Sequence, residues 1–287
     1  MEASAFPAPS GARSKEDDED DVRREPPPDG PLRAMLRETG DLVVFAGQTF
    51  RAFPGTIRYF SEVLRQTAII VRRTSLLMLI MNMFLGFSVA NFGFFFLRSI
   101  GGGDAVGIFT GLLTQRQVSM TMFGYVIAAS VCCGFAAELG AATIQQEIDA
   151  YSSTGVDPRE LIVGTRVLAV ILYVPIACAI SLIGQLLGNY TDIVVLLQGN
   201  SSKNFLSTTF GVQSIPGQIY ALVTFFFVAI PCAIVGCFYG MRTKGGPAAV
   251  GTSVSRSLVV NLVLVHVITA FFGVFFYGRN LQLPIGA

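Results

Sequence analysis

The residues able to do chemistry are concentrated between two apolar runs, one ending at Ala137 and the next beginning at Val167. Glu138-Leu139-Gly140 leads into Ala141-Ala142-Thr143-Ile144-Gln145-Gln146-Glu147-Ile148-Asp149-Ala150-Tyr151, a short helical pattern that Ser152-Ser153-Thr154-Gly155 stops. In Val156-Asp157-Pro158-Arg159-Glu160, Asp157 is placed to cap a further helix and Pro158 suits its first position. Carboxylates and amides on a short helix held between two membrane helices fit a groove on a partner protein. The apolar stretches themselves hold no Asp, Glu, Lys or Arg and a single histidine, His266, so they lack the converging nucleophile, base or metal ligands of an intramembrane enzyme. A lone imidazole between Val265 and Val267 reads as a hydrogen-bonded packing residue. No metal site is expected, and no Gly-x-x-x-x-Gly-Lys-Ser/Thr loop is present to cradle nucleotide phosphates.

The elements that must position this segment are membrane helices. Of 287 residues, 52% are hydrophobic and only 14% charged. Uncharged stretches long enough to cross about 30 Å of hydrocarbon are Thr74 to Leu97, Gln117 to Ala137, Val167 to Thr191, Asn204 to Met241 and Ser257 to Gly278. The fourth is too long for one helix; Pro216-Gly217 divides it into an outer connector, Asn204 to Ser214, and a span from Gly217 to Gly240. Ten cations flank one side (Arg51, Arg58, Arg65, Arg72, Arg73, Arg159, Arg166, Arg242, Lys244 and Arg256) and four the other (Arg98, Arg116, Lys203 and Arg279). Positive charge is retained in the cytoplasm, so the N-terminus is expected there and the C-terminus across a bacterial inner membrane.

Residues 1–31 are expected to be a disordered, acidic, Pro-rich cytoplasmic tail, with Glu16-Asp17-Asp18-Glu19-Asp20-Asp21 at its centre. It lacks the features of a cleaved signal peptide, so the first span is expected to direct insertion. Residues 32–73 read as an interfacial amphipathic helix, broken at Pro54-Gly55, followed by a lead-in; 74–287 form the five-span domain. The five cysteines fall within spans and are expected to pack as small apolar residues without disulfides. On the first span, Phe84, Phe87, Asn91 and Phe94 are candidates to line a lipid-sized cavity, or plain packing residues beside Gly86 and Gly93.

The polar segment resembles the MlaE/YrbE permeases of bacterial ABC lipid transporters, including those that work with Mce proteins. The resemblance is carried by Glu138-Leu139-Gly140, Ile148-Asp149-Ala150, Gly155-Val156-Asp157-Pro158 and Arg166, and by a second set, Tyr239-Gly240, Lys244-Gly245-Gly246-Pro247, Val250-Gly251 and Arg256. It covers about Leu32 to Gly278. The chain departs from that pattern at Gln146-Glu147, where the order is reversed; at Thr165-Arg166, where Pro-Arg is usual; at Arg116-Gln117-Val118-Ser119-Met120, which lacks a carboxylate; and at Ser130, where an arginine is common.

The resemblance implies an all-α permease fold with a membrane-surface helix and five spans. It implies a coupling helix at Ala142 to Thr154, with Gln146, Glu147, Ile148, Asp149 and Tyr151 meeting an ATPase and Glu138, Gly140, Gly155, Asp157, Pro158 and Arg166 shaping the loop. The implied partners are a cytoplasmic ABC ATPase dimer holding ATP and Mg, a second, related but different permease, an Mce/MCE-domain lipid carrier, and lipid, with no nucleic acid and no cofactor on this chain. An ion-coupled secondary transporter is the competing transport reading; it ordinarily uses intramembrane carboxylates.

Overall fold

The computed structural model describes residues 31–153, 155 and 157–278; the acidic tail, Thr154, Val156 and residues 279–287, with Arg279 among them, lie outside the described residues. Among the described residues the secondary structure is helical throughout, and five helical stretches are long and apolar enough to cross a membrane, as the sequence predicts. The described residues fall into two units, 31–44 and 45–278.

Helix α1 runs Pro31–Thr56. Over 35–44 its apolar side chains Met35, Leu36, Val43 and Val44 are exposed. The expected break at Pro54-Gly55 falls later: the helix continues to Thr56 and only then tightens into a single 3-10 turn, Ile57–Tyr59. Thr49 and Thr56 are buried. The Thr56 hydroxyl lies 3.2 Å from both its own-turn Ala52 carbonyl and the Glu160 carbonyl, which ties this end to the start of the third span.

Helix α2, Phe60–Ser99, merges the predicted lead-in and first span into one rod of 40 residues. At 1.5 Å per residue this is about 60 Å, twice the hydrocarbon thickness. Its buried residues Val63, Gln66, Ile70, Thr74, Met78, Asn82, Gly86 and Ala90 recur almost every fourth position, a narrow stripe facing helix α7, Thr165–Tyr190. Where the two cross, backbones touch. A Cβ at Gly184 would stand 2.8 Å from the Leu79 carbonyl, and one at Gly188 would collide with the Met83 carbonyl and lie 2.8 Å from the Phe87 nitrogen. Small residues permit such approach in lipid, where packing and not water expulsion drives helix association.

The second span is built in segments. Helix α3, Val106–Leu113, passes through a π turn, Thr114–Val118, into α4, Ser119–Val126; a second π turn, Ile127–Cys132, leads to α5, Cys133–Ile144. Helix α6, Glu147–Ser153, is short. A π turn, Arg159–Gly164, opens α7, and another, Thr191–Leu196, extends it. Helix α8, Ser202–Gly211, forms the expected outer connector, with the Ser201 hydroxyl accepting from the Asn204 amide at 3.3 Å. Helix α9, Ile215–Met241, starts two residues before the expected Gly217, because Ser214 caps it by accepting from the Gly217 nitrogen and Pro216 occupies its first turn. It is the most enclosed span. Helix α10, Pro247–Tyr277, completes the bundle and leaves Val259, Val263, Val267 and Phe271 exposed along one side. All five cysteines are free, and four are buried.

Candidate functional site

The polar segment takes a form that the sequence pattern only partly anticipated. Ala142, Thr143 and Ile144 complete α5 instead of beginning a separate helix. The break comes at Gln145-Gln146, where Gln146 adopts φ +60°, a left-handed conformation uncommon for a residue with a Cβ. Helix α6 then begins at Glu147, five residues later than the expected Ala142, because helical geometry carried over the membrane end until a residue able to reverse the chain intervened.

On α6 the side chains divide by role. Gln146, Glu147 and Asp149 are exposed, and Tyr151 is largely so. Ile148 is different: at 9% exposure it packs into the main core cluster. Its expected place in a partner's groove is therefore corrected. Ile148 anchors the helix to its own bundle, and the remaining side chains face outward. Gly155 follows with φ +79°, a conformation that suits glycine, and its nitrogen donates to the Ser152 carbonyl at 3.2 Å. The Asp157 carboxylate then accepts from the Arg159 nitrogen at 2.8 Å, with Pro158 at the first helical position, as read from the sequence.

Behind this helix lies a charged brace. Glu138, about half exposed, sits 3.4 Å from Arg166 and 3.8 Å from Arg73, so one carboxylate links the ends of three spans. The Arg166 side chain is 14% exposed; it donates to the Ile162 carbonyl at 3.1 Å and lies over the Phe135 ring. Nearby, Glu62 is held below the usual carboxylate range by its hydrogen bond from Arg65, helped by Gln66 and the Arg166 charge and opposed by partial burial. Arg73 and Arg166 give a single carboxylate two cations.

Residues of the two resembling motifs meet here. Gly140 is buried, and a Cβ there would stand 3.0 Å from the Thr243 hydroxyl and 3.4 Å from Val250. The Thr143 hydroxyl donates to the Gly240 carbonyl at 3.3 Å, and Thr243 donates to Ser253 at 2.9 Å. The loop before α10 thus packs against the end of α5. A side chain at Gly140 would need Thr243 to shift by a few tenths of an ångström.

The candidate cavity residues on α2 do not share one environment. Phe84 is 62% exposed, Phe87 and Asn91 are half-buried, and Phe94 is 3% exposed and lines a cleft at the far end of the bundle. His266 is hydrogen-bonded at both ring nitrogens: Nδ1 donates to the Leu262 carbonyl at 2.8 Å, leaving Nε2 to accept from the Tyr125 hydroxyl at 2.7 Å. Ser130, at the position of the absent arginine, pairs with Thr74 at 3.4 Å.

A polar face on the third span escaped the sequence reading. Ser181, Gln185, Asn189 and Asp192 follow one another at helical spacing and are all buried. Ser119 donates to Gln185, Asn189 donates to Thr114 at 3.1 Å, and Asn91 stands beside Asp192. Just past the expected end of the third span at Thr191, the π turn Thr191–Leu196 continues the helix and Asp192 is buried, 1% exposed. The four-residue spacing of amides and hydroxyls was the available signal.

Comparison with known proteins points to a permease family. A family profile described as Permease MlaE fits residues 63–275. A probable ABC transporter permease of Rickettsia prowazekii is 25% identical over 236 residues, 80% of this chain and 91% of that protein. A probable ABC transporter permease of Synechocystis is 27% identical over 171 residues, 60% of this chain, which spans 65% of that relative's length. A third, from Pyropia yezoensis, is 26% identical over 168 residues, 58% of this chain and 64% of its own. The profile covers most of the chain, reaching into all five spans and taking in both motifs that pack at the α5 end, and the chain belongs to the MlaE permease family.

Proposed function

We propose that this chain is the membrane subunit of an ATP-driven lipid transporter, a transport subunit and not an enzyme. The observation that carries the reading is α6: a seven-residue helix rooted through Ile148, with Glu147, Asp149 and Tyr151 displayed outward and Gln146 at its turn. A cytoplasmic ABC ATPase dimer would grip those four side chains and supply the ATP and Mg chemistry. Closure of that dimer would pull on α6, and the Glu138, Arg73 and Arg166 brace would pass the displacement to three spans at once. A second, related permease would complete the membrane unit, and an Mce/MCE-domain assembly would exchange lipid on the far side. The first-span face of Phe84, Phe87, Asn91 and Phe94 is the proposed lipid path. In this reading the N-terminus is cytoplasmic, the C-terminus extracytoplasmic and the membrane a bacterial inner membrane.

The test is the double substitution Glu147→Lys and Asp149→Lys, followed by copurification of the ATPase and transport of fluorescent lipid in reconstituted vesicles. Loss of both is expected; full copurification with full transport would overturn the assignment.

A second reading, ion-coupled transport, is favoured by the buried Asp192 beside Asn91. Lipid movement by the ATPase-free protein under an ion gradient, abolished by Asp192→Asn, would select it.

A further inference from the structure

The buried polar face of the third span carries more hydrogen-bonding capacity than the protein itself fills. Ser181, Gln185, Asn189 and Asp192 succeed one another over about 16 Å of helix, and none is more than 1% exposed. Asn82 joins them from α2: its Nδ2 donates to the Met78 carbonyl at 2.9 Å, and its Cβ would stand 3.2 Å from one built on Gly184. From α4, Ser119 donates to Gln185; the Asn189 Nδ2 donates to the Thr114 hydroxyl at 3.1 Å. These bonds use one end of each amide. Asn82 Oδ1, Asn189 Oδ1, both Asp192 carboxylate oxygens, Ser181 Oγ and Gln185 Nε2 are buried with no hydrogen-bond partner in the protein.

The imbalance has a direction. Of those atoms the amide and carboxylate oxygens can only accept, the Gln185 nitrogen alone can only donate, and the hydroxyl does either. Acceptors in excess call for something positive or proton-rich beside them. Asp192 brings the row's one formal charge, and among the described residues no Lys, Arg or His forms an ion pair with it; the Asn91 amide stands beside it outside hydrogen-bond geometry. A buried carboxylate left without a counter-charge is costly. The row also has a reservoir. A cavity of about 290 Å³ beside α7, α8 and the start of α9 is lined by its Thr114 and Asn189, by Thr209, Gln213 and Gln218, and by apolar side chains. Thr209 Oγ1 is a further buried oxygen without a partner, and the space accommodates an ion with several waters.

Hard oxygen donors with a single carboxylate select the ion. A softer metal would want thiolate or imidazole, and among the described residues no three His, Cys, Asp or Glu side chains gather. A divalent ion would leave one unit of positive charge buried, since Asp192 cancels only one. We infer that this row binds a monovalent alkali cation between α2 and α7, neutralised by the Asp192 carboxylate, with Asn189 Oδ1, three positions away on the same helix, and water in its shell. The cation holds two helices together and need not travel with any substrate, so the site stands or falls separately from both transport readings.

The test uses the full-length chain purified in detergent and Na+ as the probe, by equilibrium binding of radiolabelled Na+ and by thermal unfolding in NaCl against N-methyl-D-glucamine chloride at equal ionic strength. Saturable Na+ binding and a higher unfolding midpoint in NaCl are expected. Asp192→Asn keeps the side chain's shape without its charge; it should weaken binding by at least about tenfold and remove the NaCl effect. Asn189→Leu, which removes one acceptor, should weaken binding roughly fivefold. Asp104→Asn, at an exposed carboxylate, should change neither. Absence of Na+ binding, or binding that persists in Asp192→Asn, would overturn the site; should that variant fail to fold, undiminished binding in Asn189→Leu would do so. Stability indifferent to Na+ but rising as the pH falls would also overturn it, by assigning a proton to Asp192.

Discussion

Truncating Ile148 should release α6 without altering a single charge that faces a partner. A helix of seven residues is too short to persist in water by itself, since nucleation is unfavourable and few backbone bonds repay it. Ile148 is its one buried side chain. Removing a buried isoleucine to alanine costs about 2 to 5 kcal/mol, and a site at the edge of the core, where 9% remains exposed, belongs near the lower figure. Because 1.4 kcal/mol is a factor of ten, about 2 kcal/mol corresponds to roughly thirtyfold more frequent opening of the helix. Ile148→Val, at about 1 kcal/mol, should give roughly fivefold. Hydrogen exchange of the amides of Ala150 to Ser153 reads this directly, and the graded series should appear there while the spans keep their protection. ATPase copurification should fall in the same order with Glu147 and Asp149 intact. Unchanged exchange in Ile148→Ala would refute the claim that Ile148 holds the helix.

Three other outcomes are expected. Gly188→Ala should destabilise the folded protein by about 1 to 3 kcal/mol, since its methyl group meets the Met83 and Phe87 backbone, whereas Gly134→Ala, with open space around it, should be neutral or gain up to about 1 kcal/mol; unfolding in mild detergent measures both. Asp157→Ala should cost about 1 kcal/mol by removing the acceptor for the Arg159 nitrogen, seen as faster exchange at that amide. Glu138→Gln should cost no more than about 1 kcal/mol, because the carboxylate is half exposed and water screens its charge, and a double-mutant cycle with Arg166→Met reads their coupling.

Much of this architecture was legible because the membrane leaves few alternatives. Backbone groups in hydrocarbon must be satisfied within a helix, so uncharged stretches of the right length identified all five spans, and Pro216 with Gly217 marked where the fourth begins. The loop chemistry was equally local: Gly155 needs its positive φ, and Asp157 with Pro158 starts a helix whatever surrounds it. His266, expected as a hydrogen-bonded packing residue, is engaged at both nitrogens by neighbours that the sequence could not name.

The sequence by itself therefore determined the number of membrane helices, the place of the polar segment between the second and third, and the residues that turn the chain around it, all of which follow from near-neighbour chemistry. Only the tertiary structure decided which way those residues face. Ile148 turns inward because the core beneath it is assembled from distant spans; Gly140 has little room for a side chain because Thr243 and Val250, a hundred positions away, lie against it; and Asp192 is buried because α2 and its neighbours close over a turn that looks exposed in the linear chain.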